Sequence, residues 1–98
     1  MAAESGVVLV LFIANDSPRS VIACTNIETE LAARPPGMFA LEIVNVSDDP
    51  DRALAARVLV TPTLLAPAYA RRLVGDLRER VQLAYFLLGL STPIEHRA

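Results

Sequence analysis

Residues Val60-Thr61-Pro62-Thr63, "VTPT", close an apolar run that begins at Val58. A proline at the start of a strand raises two questions. One is whether its peptide bond is cis, the isomer taken by roughly one X-Pro bond in twenty. The other is whether it faces a pair of redox cysteines, as a proline so placed does in one class of small α/β domain. The chain holds one cysteine, Cys24, so neither a Cys-x-x-Cys motif nor an internal disulfide can form. Dithiol exchange is excluded.

Ninety-eight residues, 53% of them hydrophobic and 20% charged, suit one small domain with a modest core. With no tryptophan, that core is expected to be aliphatic, with Phe12, Phe39, Tyr69, Tyr85 and Phe86 as its larger pieces. The nine basic and eleven acidic residues leave a formal charge of -2 and no basic stripe, which argues against nucleic acid as a partner. The apolar stretch Val7 to Ala14 follows Glu4 and no basic residue. It is shorter than the roughly 20 residues of a membrane span, so a cytoplasmic protein without a membrane anchor is expected.

Val7 to Ile13, "VVLVLFI", reads as a strand buried on both faces. Asp16 or Ser17 then caps a helix from about Pro18 to Ala33, with Cys24, Ile27 and Leu31 on one apolar face, Val21 at its edge, and Arg19, Asn26, Glu30 and Arg34 on other faces. "RPPG" (residues 34–37) ends that helix, and "MFALEIVNV" reads as a second strand, parallel to the first through a right-handed crossover. "SDDPDRALAAR" opens with capping residues and carries a short helix. Thr63 to Ala66 and Arg71 to Val74 read as two strands joined by a turn, with Gly75 and Asp76 as turn and cap before a final helix. From Val81 to Leu90 that helix is apolar almost all round, more than one contact face needs. A domain over residues 7–90 with flexible ends, 1–6 and 91–98, is expected.

Cys24 lies two turns into the first helix, away from the helix N-terminus that lowers a thiol pKa, so a small core residue is the reading its place favours. Asp48, Asp49 and Asp51 lack the spacing of a calcium loop and read as capping residues, not metal ligands. His96 stands in the tail with no second histidine. No phosphate-cradling glycine loop or catalytic triad appears, so neither enzyme activity nor a cofactor is expected.

The segments "LFIANDSPRSV", "FALEIVNV", "DDP", "VLVTPTL" and "ARRLVGDL", in this order, with the apolar final segment, resemble the KaiB family of circadian clock proteins. That resemblance implies an α/β, thioredoxin-like KaiB fold of order βαβαββα, without redox cysteines and working by binding. It implies a cis Pro62 and a possible metamorphic second fold, βαββααβ, reached by a change in the C-terminal half that makes Gly75 and Asp76 candidate hinges. It also implies docking on a KaiC-type ATPase ring, with Arg57, Arg71 and Arg72 at the family's basic positions as partner-binding residues. Basic residues common in the family are replaced by Ile22, Thr25 and Glu42, which points away from recruitment of KaiA or a sensor kinase. Two alternatives stand beside this reading: a homo-oligomer that buries residues 81–90, and a monothiol oxidoreductase using Cys24.

Overall fold

The strand β1 (Val7–Ile13) lies inside a four-stranded sheet of order β2-β1-β3-β4. It pairs in parallel with β2 (Phe39–Asn45) and antiparallel with β3 (Thr63–Ala66), and β3 pairs antiparallel with the edge strand β4 (Arg71–Val74). The computed structural model describes residues 6–15 and 17–91. Asp16 as a cap, the tail with His96, and the expected flexible ends apart from Gly6 and Ser91 lie outside the described residues.

From Leu9 to Phe12 no side chain of β1 is more than 4% exposed. Because successive strand residues point to opposite faces, both faces must be covered. Leu9 and Leu11 pack with Ala23 and Ile27 of α1 (Pro18–Ala32), and with Leu83, Phe86, Leu87 and Leu90 of α3 (Arg80–Ser91). Val10 and Phe12 pack instead with Val44 and with Ala53 of α2 (Pro50–Ala55). Six residues of α2 cannot span the sheet, and Val8 at its far end is left half exposed.

Local chemistry fixes the helix starts. The Ser17 hydroxyl accepts from the Ser20 amide at 3.3 Å with Pro18 in the first turn, and the Asp49 carboxylate accepts from the Arg52 amide at 3.4 Å with Pro50 following. These are N-cap bonds that satisfy donors without intrahelical partners. Asn15 takes the left-handed conformation, φ 52°, which asparagine tolerates, and its side chain pairs with Asn45 at 3.1 Å. The Thr61–Pro62 bond is cis. The β3–β4 connection is a 3₁₀ turn, Pro67–Tyr69, closed by Ala70 in the left-handed region.

Element order and bounds follow the sequence reading closely, but three side chains do not. Tyr85, expected in the core, is 69% exposed, and Val21 is 52% exposed. Glu30, assigned to a polar face, is 8% exposed. α1 and α3 share one face of the sheet, so the buried arc of α1 runs through Ser20, Ala23, Ile27 and Glu30, turned away from Val21. Tyr85 sits on the side of α3 opposite Leu83, Phe86, Leu87 and Leu90.

Truncating Leu87, which is fully buried, to alanine is expected to cost about 2–5 kcal/mol in urea unfolding, against roughly 0.5 kcal/mol or less for Tyr85→Ala.

Candidate interaction surface

α2 ends in a specific reversal. The Arg57 amide donates to the Leu54 carbonyl at 3.0 Å and the Val58 amide to the Ala53 carbonyl at 2.9 Å, with Arg57 at φ 56°. This is the Schellman pattern of a helix C-terminus, in which a left-handed residue turns the chain away from the axis. Arg72 reinforces it from β4, its guanidinium donating to the Ala56 carbonyl at 2.6 Å and to the Arg57 carbonyl at 3.1 Å. A cation on the terminal carbonyls also meets the negative end of the helix dipole.

Beyond this reversal Val58 turns inward against the smaller core. Leu59 is 91% exposed, Val60 53%, and Leu54 in the last turn of α2 78%. Three large apolar side chains thus face solvent around an exposed arginine within residues 54–60. The loop is held at its far end by the Thr63 hydroxyl donating to the Val60 carbonyl at 2.7 Å, and by the Gly75 amide donating to the Pro62 carbonyl at 2.9 Å. Sequence reasoning took Leu54 as part of a short helix and residues 58–60 as an apolar run, and a one-dimensional pattern does not tell that their side chains face solvent.

The three arginines singled out in the sequence do not form one cluster. Arg72 and Arg57 meet at the end of α2. Arg71, one residue earlier on β4, points to the opposite face of the sheet, where a Cβ added to Gly89 of α3 would lie 2.8 Å from its Nη1. Pro62 and Gly75 are joined by the backbone bond just described, and Gly75 takes φ 120°, a conformation glycine adopts freely. Asp76 does not cap α3, which begins four residues later. Its carboxylate instead accepts from the Arg78 amide at 3.2 Å and pairs with the Arg78 guanidinium at 2.9 Å, while its carbonyl accepts from Asn26 of α1 at 2.9 Å.

A second ion pair ties the same elements. The Glu30 carboxylate meets Arg34 and, across to α3, Arg80, each at 3.0 Å. The hydrogen bonds from Arg34 and Arg80 hold the Glu30 carboxyl below the ordinary carboxylate range against the opposing effect of burial, and the Arg78 hydrogen bond does the same for Asp76.

At the N-terminus of α1, where a redox pair would stand, the chain has Ser17-Pro18-Arg19-Ser20. The two hydroxyls are hydrogen-bonded at 2.9 Å, and the buried Ser20 hydroxyl accepts from the Ala14 amide at 3.1 Å. Cys24 lies further along, packed on the larger core, with its thiol pKa raised by burial and then by the nearby Glu28 charge. Both effects disfavour the thiolate that a monothiol enzyme requires. Among the described residues no group of acids, histidines or cysteines could hold a metal, and no helix is long and apolar enough to cross a membrane.

Sheet, flanking helices, cis proline and serine pair define a thioredoxin-like domain whose redox positions carry no thiol. The fold is shared with the germline-specific thioredoxin Deadhead of Drosophila melanogaster, at a TM-score of 0.69 and 18% identity over 91% of this chain and 85% of that one. It is shared also with the N-terminal domain of SasA from Synechococcus elongatus, at a TM-score of 0.65 and 27% identity over 87% and 86%. The KaiB domain model matches residues 10–89. The circadian clock oscillator protein KaiB of Prochlorococcus marinus is 34% identical over 93% of this chain and 83% of the relative, and that of Gloeothece citriformis 35% over 86% and 78%. The chain belongs to the KaiB family, whose curated members are named for a clock oscillator and not for a reaction.

Two outcomes are expected. Arg72→Gln should weaken α2 by about 0.3–1 kcal/mol, read as faster amide exchange at residues 53–58 with exchange in β1 unchanged. The second concerns acid. Folding lowers the pKa of Glu30 and Asp76, so the unfolded chain binds protons more readily. Their contribution is therefore complete above the unfolded carboxylate range, about pH 4–5, and is lost as pH falls through the folded values. Glu30→Gln combined with Asp76→Asn should flatten this acid limb in urea unfolding midpoints between pH 7 and pH 3.

Proposed function

We propose that this chain is a non-catalytic binding module that docks on a KaiC-type ring ATPase through the end of α2 and the loop leading to β3. The observation that carries the reading is the exposure of Leu54, Leu59 and Val60 around Arg57, on a backbone held by the Schellman bonds and Arg72. Apolar anchors beside an arginine, with little ordering left to do, are what a protein interface draws its affinity from. Family membership supplies the partner class. Recruitment of KaiA or a sensor kinase is not part of the proposal. Ile22 and Thr25 stand where the resemblance leads one to expect basic residues, and Glu42 is tied to Arg52 in an ion pair of the chain's own. The intracellular setting of such a ring makes the cytoplasm the place of action.

A second reading has its own observation. Val81, Tyr85 and Leu88 of α3 are 70%, 69% and 57% exposed at spacings of four and three residues, so one helical stripe faces outward and a homo-oligomer would cover it.

Light scattering coupled to size-exclusion chromatography tests both, on the chain alone and mixed with the KaiC-type ring of its own organism in ATP and in ADP. The chain is expected to co-elute with the ring in one nucleotide state, and Leu59→Asp, at a side chain without packing to lose, to weaken this at least roughly ten-fold. Failure to co-elute in either state overturns the docking reading. An oligomer that persists on dilution and ignores the ring puts the second reading in its place.

A further inference from the structure

β4 is an edge strand with a readable hydrogen-bond phase. The Gly75 amide points inward to the Pro62 carbonyl, and the β3–β4 register pairs Leu64 with Leu73 and Ala66 with Arg71 between the non-bonded pairs Thr63–Val74 and Leu65–Arg72. In an antiparallel ladder the two kinds of pair alternate, and residues of a non-bonded pair turn their N–H and C=O groups away from each other. The backbone groups of Arg72 and Val74 therefore point outward. Among the described residues no strand pairs with that side.

The surroundings of this edge are cationic although the chain as a whole carries a charge of -2. Arg71 extends on one face of β4 and Arg72 on the other, both exposed. At the strand's C-terminal end opens a groove of about 460 Å³ whose lining includes Arg19 and Arg78, the acids Asp76 and Glu79, and Gln82. Within the groove the two acids balance the two arginines, Asp76 being tied to Arg78, so the excess of positive charge lies on β4 itself, at Arg71 and Arg72.

We propose that the free edge of β4 is a docking strand for an extended acidic segment of a partner protein, added to the sheet as a fifth strand beside Arg71 and Arg72. The backbone of Arg72 and Val74 supplies two donors and two acceptors at the alternate spacing that strand addition uses. Acidic side chains of such a segment, alternating above and below the sheet, fall beside Arg71 and Arg72 in turn. The same charges select against a second copy of this chain. Pairing β4 with its own duplicate gathers four arginines in one short ladder with no carboxylate between them, the device by which sheets prevent edge-to-edge association. Charge thus does not simply close the edge; it sets which strand is admitted.

The inference rests on the reading of the chain as a binding module, but its test does not need the ring. The probe is an acetylated, amidated heptapeptide of sequence VEEVEEV, whose adjacent glutamates place carboxylates on both faces of an added strand, titrated into the nitrogen-15-labelled full chain, with a lysine-for-glutamate peptide as comparison. In the free protein the Arg72 and Val74 amides are expected to exchange rapidly while Leu73 is protected. At a peptide concentration ten times its dissociation constant, exchange at Arg72 and Val74 should slow by about ten-fold. Arg71→Gln should weaken binding by roughly three-fold, and the lysine peptide should leave β4 unchanged. Three results overturn the proposal: Arg72 and Val74 already protected without peptide, equal binding of the lysine peptide, or shifts confined to the opposite edge at β2. Any of these leaves ring docking standing, and failure of ring co-elution leaves this measurement unaffected.

Discussion

Burial of β1 on both faces is the constraint from which the rest of the architecture follows. Leu9 to Phe12 are all but sealed from solvent, and burying each such side chain contributes about 1.5–3 kcal/mol only if something apolar covers it. One face receives two full helices, α1 and α3. Among the described residues the other receives only α2, six residues long, too short to be stable by itself. Its ends are accordingly fastened: Asp49 at the start, the Schellman bonds and the Arg72 guanidinium at the finish. Weak coverage of that face has a consequence for the surface. Where a longer helix would continue, the chain turns out and presents Leu59 and Val60.

Much of this was legible in the sequence, for reasons specific to particular residues. The unbroken apolar run at Val7–Ile13, rich in β-branched residues, the Ser17-Pro18 and Asp49-Pro50 cap pairs, and the paired short strands after Pro62 each state their local structure without help from distant contacts. What could not be read depends on how elements meet. Glu30 looked like a surface residue because helical periodicity gives angles around α1 but not the direction from which α3 approaches; only with Arg80 beside it does burial of a carboxylate make sense. Tyr85 looked like core because α3 is apolar all round, and nothing in an all-round pattern says which side packs. Adjacent arginines at 71 and 72 looked like one basic site, yet strand alternation sends them to opposite faces. Asp76 matched the local chemistry of a cap, and a competing local partner, Arg78, took the carboxylate.

The candidate surface also explains how a thioredoxin-like frame can be put to work without thiol chemistry. At the start of α1 a hydrogen-bonded pair of serines closes off the position of the redox pair, and the single cysteine sits on the core side of the helix with its thiolate disfavoured. What such a frame retains is the backbone around the cis proline, with the Gly75 amide bonded directly to its carbonyl. That bond joins the loop of exposed apolar residues to the end of β4, so the two surfaces proposed for partner contact are mechanically continuous.

The central claim is that the end of α2 and the loop leading to β3, not the outer stripe of α3, meet the ring. An amide-exchange footprint of the full chain assembled on the KaiC-type ring tests it most directly. The account predicts protection concentrated at residues 54–60, with the exposed side of α3 exchanging as it does in the free chain. Protection confined to residues 81–88, with the loop before Pro62 unaffected, would contradict it.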